Sequence, residues 1–216
     1  MIELESCNSV WSFTRGSFRS FFRNATAAAL ILSGVSAAVF SSVAGAQDIG
    51  SRLVSCAACH GVDGNSKTSA SPSLAGQPKT FLENQMIMIR EGIRDIPAMK
   101  GQLDGLRDPE IIALAKYFSG LPLKPLDAPR KTALFERGAI LSKQMLCGTC
   151  HLPDYRGRDQ MPRLAGQRED YLLHSMRQFR DNQAIGRDTI MTASLYGIPD
   201  ADLVAIAHYL ARLKID

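Results

Sequence analysis

The residues in this chain with the most specific chemistry are four cysteines and two histidines, set out as Cys56-Ala57-Ala58-Cys59-His60 and Cys147-Gly148-Thr149-Cys150-His151. Two cysteines three apart lie on one side of a helical turn, with the imidazole next to them. That spacing lets two thiols add to the two vinyl groups of one haem while the imidazole reaches the iron. CxxCH is the attachment signature of c-type haem. Three other chemistries use the same residue types. A structural zinc site wants four ligands per cluster, and neither copy has a spare Cys or a suitably spaced His pair nearby. A thioredoxin-like pair wants a βαβ context, which is missing. Two disulfides suit an exported protein but leave the His after each pair unexplained. The reading is two covalently bound c-type haems, held by Cys56 and Cys59 and by Cys147 and Cys150, with His60 and His151 as axial iron ligands.

The second axial ligand separates a carrier from a catalyst. Met99 lies 39 residues after His60, and Met191 lies 40 after His151. A lone Met is by default a flexible gap-filler in a core. Met86 and Met176 also correspond between the two halves, but they fall inside a helix and read as packing. Met88 corresponds to Gln178 and Met161 to Ser71, so neither recurs. Met99 and Met191 recur and are expected in loops just before the last helix of each half. They are the expected ligands. His/Met ligation leaves no iron position open to substrate and raises the potential. The function that follows is electron transfer, with no catalytic residue assigned.

These groups are positioned by a repeat with a period near 91. Beyond the two CxxCH segments, Leu74-Ala75-Gly76-Gln77 recurs as Leu164-Ala165-Gly166-Gln167, and Ala115-Lys116-Tyr117 recurs as Ala207-His208-Tyr209. Each copy reads as three helical stretches: 48–59, 79–93 and 108–119 in the first, and 134–150, 169–182 and 200–213 in the second. Ile111, Ile112, Leu114, Ala115 and Phe118 give an apolar face at helical spacing, as do Leu203, Ile206, Ala207 and Leu210. Asp108-Pro109 and Pro199-Asp200 are the expected starts of the last helices. No stretch alternates as a strand would. The fold class is all-α, as a tandem repeat of two helical domains. A Pro-rich segment at about 120–130 is a semi-rigid linker.

Arg15, Arg19 and Arg23 precede an apolar run from Ala25 to Phe40, and Ala44-Gly45-Ala46 closes it. This is the layout of a secretory signal, expected to be cleaved after Ala46; an uncleaved membrane anchor is the alternative. The domains are then 1–46 as signal peptide, 47–124 and 125–216. The whole chain has 216 residues, 45% hydrophobic, and 25 Lys+Arg against 21 Asp+Glu. That balance excludes a dedicated nucleic-acid binder. Without the first 46 residues only four Phe and five Tyr remain as aromatics, few for two small cores. A haem at the centre of each domain makes up the deficit.

Two CxxCH motifs, each followed by a Pro-x-Leu-Ala-Gly-Gln element (Pro72 to Gln77, Pro162 to Gln167), resemble the dihaem cytochromes of the cytochrome c4 family. The Met loops and the closing Ala-x-Tyr helices fit as well. The resemblance covers essentially all of the chain after the signal. It implies two cytochrome c-like domains, each wrapped around one haem and packed against the other. It also implies a periplasmic shuttle, often loosely membrane-associated. Donors and acceptors would be redox proteins: a quinol–cytochrome c reductase, a terminal oxidase or a dehydrogenase. Pro72 and Pro162 resemble the family's proline whose carbonyl orients the proximal imidazole. One departure is that His60-Gly61 is answered by His151-Leu152, so the second loop is expected to be shaped differently.

Two alternatives to a free carrier remain: a cytochrome subunit of a larger dehydrogenase or oxidase complex, and a dihaem redox enzyme such as a peroxidase. No distal acid or base supports the enzyme. His174 and His208 read as surface or partly buried residues, not ligands. Arg156, Arg158, Arg163 and Arg168 read as a solvated mixed-charge loop, with a docking patch for an acidic partner as the alternative.

Overall fold

The apolar spacing seen in the sequence closes into helices throughout. In the computed structural model, which describes residues 49–124 and 128–214, the first half holds α1 (Gly50–His60), α2 (Lys79–Arg90), a 3-10 turn (Pro97–Met99) and α3 (Asp108–Ser119). The second holds α4 (Thr132–Gln144), α5 (Cys147–His151), α6 (Glu169–Arg180), α7 (Thr189–Leu195) and α8 (Asp200–Ala211). Among the described residues there is no strand, only an isolated bridge between Arg158 and Met161. None of the helices there is by itself long and apolar enough to cross a membrane. The expected signal at 1–46 lies outside the described residues, as do linker residues 125–127.

The last helix of each half is its core element. Ile111, Leu114, Ala115 and Phe118 on α3 are buried together with Leu82, Leu103 and Leu106. Leu203, Ile206, Ala207 and Leu210 on α8 are buried with Leu172, Met176, Phe179 and Leu195. The i, i+3, i+4, i+7 spacing puts each set on one face. Burying a Leu or Ile side chain contributes about 1.5–3 kcal/mol, so these faces dominate the stability of each half. Both helices start where expected. At α3, Pro109 fills the first turn, and the Arg107 N–H donates to the Glu110 carboxylate at 2.8 Å, satisfying a donor the helix end would leave open.

The stretch expected as one helix from Leu134 to Cys150 is two. It breaks at Leu146, which adopts a left-handed conformation with φ 56° between α4 and α5. The direction of α4 is fixed by its contact with α8: a Cβ on Gly138 would stand 2.1 Å from the Ala205 carbonyl oxygen. The left-handed residue lets the CxxCH turn leave that line. Met191, expected in a loop, lies inside α7, because the Asp188 side chain caps this short helix by accepting the Ile190 N–H at 2.8 Å. Met99 ends the 3-10 turn.

The loops after the two CxxCH segments follow one plan. Leu74 and Ala75 both donate their N–H to the Gly64 carbonyl, and Leu164 and Ala165 do the same to Tyr155. Gly76 then donates to Phe118, and Gly166 to Leu210, tying each Leu-Ala-Gly-Gln segment to the last helix of its own half. The second loop differs in being one residue shorter between its His and Pro and in carrying the Arg158–Met161 bridge, but at Leu152 itself the backbone matches. Leu152 has φ 68° and ψ 156°, close to the 83° and 148° of Gly61. A region that suits glycine is here imposed on leucine, which costs on the order of 1–3 kcal/mol.

Candidate functional site

His60 and His151 are the last residues of α1 and α5, and both are buried. His60 Nδ1 donates to the Pro72 carbonyl at 2.8 Å, and His151 Nδ1 to the Pro162 carbonyl at 2.9 Å. A carbonyl oxygen only accepts, so Nδ1 carries the proton and Nε2 keeps its lone pair. Desolvation pushes both imidazoles below their ordinary pKa, partly offset by the bond to the proline carbonyl. The neutral ring with a bare Nε2 is the form a metal binds.

Cys56 and Cys147 are half-buried and pack on the core of their own half, whereas Cys59 and Cys150 are exposed. Burial raises the pKa of the Cys56 thiol, opposed by the nearby Arg52 guanidinium, and burial raises that of Cys147 likewise. None of the four forms a disulfide. Met99 packs against the same cluster as Cys56, and Met191 against the same cluster as Cys147. The donor set in each half is thus a neutral buried imidazole, a thiol and a thioether on one apolar core, and a second, exposed thiol. It fits a covalently attached haem with nitrogen and sulfur as axial ligands. Among the described residues, no group of three or more His, Cys, Asp or Glu side chains converges as a zinc site would need.

The two halves meet along the Pro-x-Leu-Ala-Gly-Gln segments, which the sequence marked as recurring without indicating why. Gln167 accepts the Ser73 N–H at 2.8 Å and donates to the Ser73 carbonyl at 2.9 Å. Gln77 accepts the Arg163 N–H at 2.9 Å and donates to the Arg163 carbonyl at 3.1 Å. Each glutamine grips the residue that follows the other half's proline. A polar side chain recurring in an otherwise apolar run was the available signal.

Two surface expectations are corrected here. Arg163 is only 2% exposed, its guanidinium donating to the carbonyls of Ala75 and Ala165. Desolvation lowers its pKa to about 10. Arg168 is partly buried, pairing with Asp170 and reaching the Ser66 carbonyl at 3.2 Å. Only Arg156 and Arg158 of the four are exposed as a solvated loop would be. The loop folds inward there because its backbone joins the contact between halves. His208 is 1% exposed, because α8 carries it under the linker. Its Nε2 accepts the Lys131 N–H at 3.0 Å and its Nδ1 donates to Glu169 at 3.1 Å.

Two family descriptions match the chain: "Cytochrome C oxidase, cbb3-type, subunit III" over residues 44–118 and "Cytochrome c" over residues 135–214. Cytochrome c4 of Pseudomonas aeruginosa is 32% identical over 167 residues, covering 73% of this chain and 83% of that protein. The thiosulfate dehydrogenase electron acceptor of Thiomonas intermedia is 31% identical over 168 residues, covering 73% and 77%. Among solved structures, reduced recombinant cytochrome c4 from Pseudomonas stutzeri superposes with a TM-score of 0.69 at 30% identity, covering 76% of this chain and 96% of that one.

Proposed function

Since this chain belongs to the cytochrome c4 family, we propose that its two haems are held through Cys56 and Cys59 and through Cys147 and Cys150, with His60 and Met99, and His151 and Met191, as axial ligands. The chain carries two covalently bound c-type haems in two cytochrome c domains, and it is an electron-transfer protein. Bound haem supplies one-electron exchange at its iron. The two cysteines of each motif would hold the ring through thioether bonds, and the proline carbonyl fixes the imidazole that would meet the iron. The observation that carries the assignment is the same imidazole–carbonyl bond in both halves, each half also holding a thiol and a thioether against its core.

With both axial positions taken there is no site for substrate, and the protein acts as a carrier rather than an enzyme. We place the domains at 47–124 and 125–216, the signal at 1–46 and the mature protein in the periplasm. Its partners are redox proteins, with a quinol–cytochrome c reductase as donor and a terminal oxidase as acceptor. The relative named for accepting electrons from thiosulfate dehydrogenase favours a dehydrogenase donor as a second reading.

The test is the purified, exported protein. Intact mass after denaturation should show two haems still attached, and the oxidised spectrum should carry the weak far-red methionine–iron band without high-spin features. One haem, or a high-spin spectrum, overturns the assignment.

A further inference from the structure

One peptide group in each half is hydrogen-bonded on both sides, and its two partners come from different halves. The Pro72–Ser73 peptide accepts the His60 Nδ1–H at its oxygen, 2.8 Å, and donates its own N–H to Gln167 Oε1, also at 2.8 Å. The Pro162–Arg163 peptide accepts the His151 Nδ1–H at 2.9 Å and donates to Gln77 Oε1 at 2.9 Å. The second bond of each carboxamide, to the Ser73 or Arg163 carbonyl, locks its orientation. Gln77 is 4% and Gln167 2% exposed, so water does not compete for these bonds.

Hydrogen bonds in a chain polarise one another, more so at low dielectric. A peptide whose N–H is given to a carboxamide oxygen is a better acceptor at its own carbonyl. The stronger that carbonyl holds the Nδ1 proton, the more electron density the imidazole offers at Nε2. Density from an axial ligand stabilises the oxidised iron and lowers the potential.

We propose that Gln167 tunes the haem bound by His60 and that Gln77 tunes the haem bound by His151, so that each domain sets the reduction equilibrium of the other's iron. The inference rests on the assignment of His60 and His151 as axial ligands. Both glutamines are positioning residues, acting through one peptide and one imidazole. The bonds are reciprocal, so separating the domains would release both irons from this control at once.

The experiment uses the full-length holoprotein, with the two haems followed separately by their NMR signals during a redox titration. Gln167→Met keeps the volume and removes both bonds to Ser73, together with the Arg168 N–H bond that Gln167 Oε1 accepts at 2.9 Å. It should make the His60 haem easier to reduce by about threefold, equivalent to about 28 mV at 59 mV per tenfold, with a smaller change at the His151 haem. Gln77→Met should do the reverse. Gln167→Ala, which removes the bonds without adding bulk, is measured alongside in case Met disturbs folding. Gln167→Glu keeps an acceptor for the Ser73 N–H and should restore most of the lost effect. Equal shifts at both haems, a larger shift at the variant's own domain, or no shift overturns the proposal, as does a Glu variant displaced as far as the Met variant. His60→Ala tests the ligand assignment independently: an unchanged low-spin spectrum would refute that assignment whatever the glutamine variants show.

Discussion

The Asp170 carboxylate, in the first turn of α6, accepts the backbone N–H of Ala70 at 2.9 Å, across the junction between the two domains. The Ser69 hydroxyl donates to the same oxygen at 3.1 Å, and Arg168 brackets the carboxylate from its own side. Burial opposes ionisation of this carboxyl, but the Arg168 guanidinium and the two donors outweigh it and hold the pKa at about 2.

A carboxyl pulled below its unfolded value of about 3.9 contributes stability that is fully present above that value and lost as pH falls through its folded one. The window is therefore pH 4 to 2. Asp170 is partly exposed, so solvent screening limits the contribution to about 1 kcal/mol or less. Urea denaturation of Asp170→Asn should show it less stable than wild type at pH 7, with the gap narrowing towards pH 2. An equal gap at both ends would remove Asp170 as the group responsible.

Gly138 in the middle of α4 looks like a site for stabilisation, since Ala in place of a helical Gly normally gains about 1 kcal/mol. Here the sign should invert. An added Cβ would collide with the Ala205 backbone and with Tyr209 Cβ, forcing α4 away from α8. Overpacking of this kind costs about 1–3 kcal/mol. Gly138→Ala should unfold at lower denaturant than wild type, and a rise in the midpoint would contradict the close packing.

Met99→Ala and Met191→Ala should each remove about half of the far-red methionine–iron band and lower the potential of one haem, because the thioether favours the reduced state. Each variant should also gain one binding site for added imidazole, read from its optical spectrum. A full band after either substitution would strike that methionine from the ligand set.

His208 holds the start of α4 and the end of the linker. Its Nε2 takes the Lys131 N–H, while Arg212 Nε donates to the Pro129 carbonyl at 3.3 Å. His208→Leu leaves the Lys131 N–H and the Glu169 carboxylate without their buried partner, at a cost of about 1–3 kcal/mol. Limited proteolysis should then cut between Pro129 and Thr132 faster than in wild type. Unchanged cleavage would mean that the linker is held by something else.

What the sequence revealed was local in origin. Cys56, Cys59 and His60 lie within about one helical turn of α1, so their spacing alone points to the chemistry, and α3 and α8 begin at a Pro or Asp that marks its own position. The contacts that stayed hidden join residues far apart in the chain. The burial of Arg163 depends on the carbonyl of Ala75, and that of His208 on Lys131; neither relationship has a local pattern. The break at Leu146 was missed for a similar reason. Nothing within 134–150 interrupts the helical spacing, and the turn follows from the fit of Gly138 against α8, more than fifty residues away.

The reciprocal grip of Gln77 on Arg163 and Gln167 on Ser73 has the logic of an isologous contact, in which one surface recognises its own copy and every bond occurs twice. Two free copies of such a patch would have to find each other in solution. Joined by a short linker, they meet at an effective concentration of the order of millimolar, so a handful of hydrogen bonds suffices to keep them docked. The duplicated chain is in this sense a dimer with its concentration written into the sequence, indifferent to how dilute the protein becomes.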